Sequence, residues 1–153
     1  MPVIDVINTL ALDKVELYDR PYLLYINTPT PTVTSQLAFR YTADLISYRE
    51  NLIERHTSIS KSQSLNLQFH CDRELEAIKE ICRNAIKPIV ILEGLDILLA
   101  YLATRSRSHL DSSWHNLATT RQLACPVWIL LPISWKTEMS AQQKLWDNRV
   151  KSL

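Results

Sequence analysis

A chain of 153 residues has the size of one domain built around a single core. With 46% hydrophobic and 22% charged residues it reads as an ordinary globular sequence, not a disordered one. A net charge of +1 gives the whole chain no electrostatic pull toward nucleic acid or anionic lipid, so neither is the expected partner. The longest apolar run, Val127–Pro132, is far too short to cross a bilayer. No basic stretch followed by an apolar one stands near Met1, so the expected location is cytoplasmic. Cys71, Cys82 and Cys125 form no CxxC pair and read as free thiols, not as disulfide or zinc ligands. Gly94 is the single glycine, where average usage would give roughly ten. The chain has therefore given up nearly all positions that suit close backbone approach to a ligand.

In chain order, Pro2–Leu12 reads as a short helix. Tyr22–Ile26, aromatic and β-branched, reads as a buried strand. The loop at Thr28–Thr32 leads into a long helix, in which Val33, Leu37, Tyr41, Leu45, Tyr48 and Leu52 recur every three or four residues. Thr57–Ser64 is a polar connection, and Leu65–Phe69 alternates as a second strand. Asp72 is placed to cap a helix with Glu74 and Glu76 in its first turn and Leu75, Ile78, Cys82 and Ala85 on one face. Ile89–Leu92 is a third strand, apolar throughout and so buried on both sides. Gly94–Ala103 turns into a short helix, and Thr104–His109 reads as a basic loop. Asp111 is expected to cap the next helix, which carries Trp114, Leu117, Ala118 and Arg121. Val127–Leu131 is the fourth strand, and a last helix follows a cap at Ser140. Strand and helix alternate four times, which predicts a three-layer α/β sandwich around a mainly parallel sheet of about four strands. Ligands in such sheets sit at the carboxyl ends of the strands.

The first of those ends excludes the commonest phosphate chemistry. A P-loop needs glycines, so that successive N–H groups can face phosphate, and a lysine. Asn27-Thr28-Pro29-Thr30-Pro31-Thr32-Val33-Thr34 has neither, and its two prolines delete two donors. What remains is a helix start at Thr32 and Thr34, either a plain cap or a site for one small anion. The third strand ends in Glu93-Gly94-Leu95-Asp96, where P-loop enzymes place a carboxylate that holds Mg²⁺. Solvated turn carboxylates, with Asp96 capping, and a retained metal site are both open readings.

Ile89–Leu98 resembles the Walker B segment of NACHT-type STAND NTPases, four apolar residues followed by Asp-Gly-x-Asp. Glu93, Gly94 and Asp96 match its first acid, its glycine and its second acid. Ile97 stands where those enzymes carry a further acid. Leu117–Arg121 and Cys125–Pro132 resemble the helix and sensor strand of such domains, and Trp146–Val150 their closing tryptophan–arginine segment. The resemblance implies one degenerate, inactive STAND-like domain over 1–153 with P-loop NTPase-like strand order, of the kind found in bacterial conflict and signalling proteins. If it holds, the strands lie in the order two, three, four, one.

Other constellations are weaker. His70 and Cys71 are neighbours and would point to opposite strand faces, so no nucleophile–base pair results. His109 and His115 lack metal-ligand spacing. Arg105 and Arg107 form a small basic patch that could meet an acidic partner or phosphate. Trp135, Trp146 and Arg149 are candidate interface residues, although core packing is the ordinary reading for each tryptophan taken alone. No catalytic constellation, metal site or cofactor is visible. The expected function is a non-catalytic regulatory or adaptor module that binds another protein or itself. The alternative is a metal-dependent nucleotide-binding domain or NTPase using Glu93 and Asp96, and a third reading is nucleic-acid contact through Arg105 and Arg107.

Overall fold

A computed structural model of the chain describes residues 7–15, 18–27, 30–55, 71–138, 144–146 and 148–153. Its centre is a sheet of five parallel strands: β1 (Pro21–Ile26), β2 (Ala43–Ser47), β3 (Ile89–Glu93), β4 (Val127–Pro132) and β5 (Val150–Ser152), in the spatial order β2-β3-β4-β1-β5. This is a P-loop NTPase-like order in an α/β sandwich, with five strands where the sequence suggested four. β1, β3 and β4 are continuous apolar runs because both of their faces are covered.

The helices are α1 (Pro31–Arg40), α2 (Tyr48–Arg55), α3 (Cys71–Arg83), α4 (Asp96–Arg105), α5 (Arg107–Ala118) and the short α6 (Ser134–Glu138). On one face of the sheet, Tyr22, Leu24, Ile26, Ile91, Trp128 and Leu130 pack against Leu37 of α1 and against Ile7, Leu10, Leu12 and Val15. On the other, Leu23, Tyr25, Val90, Leu92, Ile129 and Leu131 pack against α2 to α5 and Trp146. Alternate residues of each strand serve opposite cores, as strand geometry requires. The segment before β1 contains a helical turn at 7–9, where a short helix was expected. It is held by Trp128 Nε1 donating to Leu12 O (2.9 Å) and by the Tyr41 hydroxyl donating to Ile7 O.

The long helix expected from Val33 to Leu52 is instead helix, strand and helix. Residues 41–47 contain Thr42, Asp44, Ile46 and Ser47, all poorer helix formers than alanine or leucine. Thr42 adopts φ 51°, which ends α1, and Ser47 Oγ accepts from Glu50 N (3.2 Å), which starts α2. A spacing of three or four fits two short helices as well as one long one, so periodicity alone could not find β2. The strand expected at Leu65–Phe69 lies outside the described residues, as do Thr57–Ser64 and the cap at Ser140. The neighbour of β3 in the sheet is Ala43–Ser47.

Smaller corrections follow from caps. Asp72 lies inside α3. The basic loop at Thr104–His109 is a junction between α4 and α5 with only Ser106 outside both helices. Ser106, not Asp111, caps α5, accepting from His109 N (3.4 Å).

Candidate functional site

The carboxyl edge of the sheet holds the two turns that the sequence singled out. After β1, Thr30 is the N-cap of α1 and Pro31 its first residue. The Thr30 hydroxyl accepts from Val33 N (3.3 Å), and Thr34 N donates to Thr30 O (3.0 Å). Thr34 is 3% exposed, and its hydroxyl turns back to Thr30 O and Pro31 O, each at 3.2 Å. Thr32 is exposed on the same turn. The amides of Val33 and Thr34 are thus engaged by the chain itself, and Pro31 has none. Residues 28 and 29 lie outside the described set.

β4 stands between β1 and β3, so the second turn is two strand positions away, roughly 10 Å across the sheet. Glu93 ends β3 opposite Ser47 of β2 and is half-buried. Gly94 takes φ 86°, a left-handed conformation that a side chain disfavours, against the backbone of Tyr48 and Arg49. Leu95 occupies the cap position of α4 with no side-chain cap bond, and Asp96 is the first helical residue. The capping role read for Asp96 is therefore not realised; its carboxylate acts on the helix through the dipole. Burial, and then the charge of Glu50, raise the Glu93 carboxyl above the ordinary glutamate range. Ile97, the second residue of α4, is exposed. Among the described residues no group of three or more His, Cys, Asp or Glu is arranged to hold a metal ion.

A buried polar cluster sits close by that the sequence did not suggest. Glu74 is 1% exposed and pairs with Arg55 through two bonds of 2.8 and 3.0 Å. The Tyr48 hydroxyl donates to the same carboxylate. Burial, then the Glu74 charge, push the Tyr48 phenol well above the tyrosine range, and the Glu74 bond keeps Arg55 protonated. The cluster pins α2 to α3. In the sequence Glu74 looks like an ordinary first-turn acid, and only the tertiary placement of Arg55 reveals the pair.

The candidate interface residues divide. Trp146 is fully buried, with its ring 5.1 Å from that of Trp114. Arg149 is 4% exposed: Nη1 donates to Pro21 O (2.9 Å), and Nη2 to Ala118 O (2.7 Å) and Leu145 O (2.9 Å). Its guanidinium lies 5.1 Å from the Trp146 ring. Both residues are interior: Trp146 takes the core-packing reading, and Arg149 is not available as a surface contact. Desolvated carbonyls at the ends of β1 and α5 need donors, and a planar guanidinium supplies several at once. Trp135 is half-buried on α6. Arg107 is drawn to Asp111 (3.4 Å) and Glu138 (3.6 Å), and Arg105 lies 5.4 Å from the Tyr101 ring. The basic patch is thus partly neutralised by its own neighbours.

A cavity of about 260 Å³ opens between α3, α4 and α5, lined by Ile78, Leu95, Leu98 and Trp114 among others. It lies in the helical layer, touching the turn after β3 only through Leu95, and is smaller than most ligand sites. A second hollow, a groove of about 700 Å³, runs along the outer edge of β2 between α2 and α3, with Ile86 on its rim. Among the described residues no strand pairs with that edge. No family model matches the chain, and comparison with curated proteins finds no match. No helix among the described residues is long and apolar enough to cross a membrane.

Proposed function

We propose that the domain is a non-catalytic interaction module, a degenerate STAND-like domain that docks another protein chain or a second copy of itself. The observation that carries this reading is the surface at the free edge of the sheet. Phe39 is 88% exposed and Ile86 93% exposed, values unusual for such residues. Phe39 stands in the last turn of α1 and Ile86 on the bend after α3, each just ahead of a neighbouring strand. Phe39 precedes β2, Ile86 precedes β3, and Asp44 of β2 accepts from Ile86 N at 2.7 Å. Beside them runs the edge of β2, unpaired among the described residues, with its groove, and such an edge is a template for another chain. The strand order, the proline-bearing turn after β1 and the Glu93-Gly94-Leu95-Asp96 turn after β3 support the STAND-like part of the reading. A role in bacterial defence or signalling follows from that resemblance alone.

The test is sedimentation velocity together with affinity capture. Wild type is expected to self-associate or to retain a specific partner. The double variant Phe39→Ser, Ile86→Ser should weaken that association at least ten-fold while keeping its helical circular dichroism. A strictly monomeric wild type that captures nothing would contradict the reading.

The alternative, nucleotide binding with a metal at Glu93 and Asp96, has one observation in its favour. The charge of Glu50, after burial, raises the Glu93 carboxyl at the carboxyl edge, and a cation there would relieve that repulsion. In its favour calorimetry would have to show Mg²⁺-dependent ATP binding that Glu93→Gln abolishes.

A further inference from the structure

We propose that the groove along β2 takes an extended, lysine- or arginine-bearing segment of another protein, which pairs with β2 as a further strand of the sheet. The proposal rests on the docking role above and names the chemistry of the partner. Three features meet at this edge. β2 pairs with β3 on one side, and among the described residues its other side pairs with no strand. The outward N–H and C=O groups of that side are a ready ladder for an incoming backbone. The groove of about 700 Å³ beside it is bounded by α2 and α3, which gives the segment two walls. Ile86, 93% exposed on the rim, offers an apolar contact for one of its side chains.

Charge selects the occupant. Asp44 of β2, Glu50 and Glu54 of α2 and Glu80 of α3 line the groove, against one guanidinium, that of Arg55. Arg55 is matched by the buried Glu74, and Glu80 by Arg83 at 3.0 Å. Asp44 accepts from the amides of Ile86 and Lys87 (2.7 and 3.0 Å), which are neutral and leave its own charge in place. Glu50 and Glu54 stand one turn apart on α2, both exposed, a spacing at which like charges repel. The groove is therefore acidic in a chain whose net charge is +1. A basic segment relieves that repulsion. A second copy would add to it, because an edge-to-edge pair about a two-fold axis sets the same acids against each other. The same field repels nucleic acid and anionic lipid.

The experiment follows a short labelled peptide of alternating lysine and valine by fluorescence anisotropy as the full chain is added. Saturable binding is expected, about ten-fold tighter than that of the matching glutamate–valine peptide and about ten-fold weaker at about 300 mM salt than at about 50 mM. Glu50→Gln combined with Glu54→Gln changes two exposed helix positions, so the fold should hold and binding should weaken about ten-fold. Methylating every backbone nitrogen of the peptide should abolish binding, because the ladder loses its donors while the charges stay. No binding of the lysine–valine peptide, equal binding of the glutamate–valine peptide, or unchanged affinity for the methylated peptide or in the double variant would each overturn the inference. Association that depends on Phe39 and Ile86, with the lysine–valine peptide silent, would keep the docking role and overturn only the basic strand.

Discussion

The two edges of the sheet are used in opposite ways. At the carboxyl edge, where folds of this strand order place phosphate chemistry, two sets of polar groups are occupied by one another: Thr30 and Thr34 with the start of α1, Tyr48 and Arg55 with Glu74. At the amino edge, apolar side chains that would normally be covered are left bare at Phe39 and Ile86. The contrast teaches where this fold satisfies its interior polar groups and where it leaves apolar surface open, and on the reading proposed above the open surface is the working part. What such a frame offers a cell is shape and surface.

The largest predicted effect concerns the frame itself. Arg149→Ala strips donors from Pro21 O, Ala118 O and Leu145 O and should cost about 4 kcal/mol in urea unfolding. Arg149→Lys should recover only part of this, because one ammonium cannot reach all three. Glu74→Ala should cost about 3 kcal/mol by leaving Arg55 and Tyr48 without their shared partner; Arg55 is 27% exposed, so water softens the loss. Equal stability of wild type and either alanine variant would dissolve the claim that satisfied interior polar groups hold the frame.

Smaller effects sharpen the picture at the turns. Gly94→Ala forces a side chain onto φ 86° and should cost about 1–2 kcal/mol. Thr42 is the converse, a β-branched residue held at φ 51°, and Thr42→Gly should stabilise by about 0.5 kcal/mol after the added freedom of the unfolded chain is set against the relieved strain. Glu93→Gln should raise the melting temperature at neutral pH. The Glu93 carboxyl is raised in the folded state, so its ionisation opposes folding, and that penalty grows as pH rises through the carboxylate range. The gap between variant and wild type should therefore close at low pH, where both side chains are neutral. A gap that widens on acidification would reverse the assigned cause.

Much of the frame was legible from residue patterns, and the failures have physical causes. β1, β3 and β4 could be read because strands buried on both faces must be apolar at every position. β2 could not, because Leu45, Tyr48 and Leu52 keep a helical spacing across a strand and a turn. The caps misled for a related reason: Asp72 and Asp111 are good capping residues, yet α3 already includes Asp72, and Ser106 took the place expected of Asp111. Trp146 and Arg149 resembled surface anchors because they stand close to the chain end. Their burial is a tertiary fact, set by the meeting of β1, α5 and the 144–146 turn. The two candidate turns follow β1 and β3 as expected, but the Glu50 charge that acts on Glu93 comes from α2, which the pattern had merged into one long helix.

The central claim, a P-loop-like frame without triphosphate binding, is tested most directly by isothermal titration of the full chain with ATP in the presence of Mg²⁺. The account predicts no saturable heat for wild type up to millimolar nucleotide. Saturable binding that disappears in Glu93→Gln would contradict it.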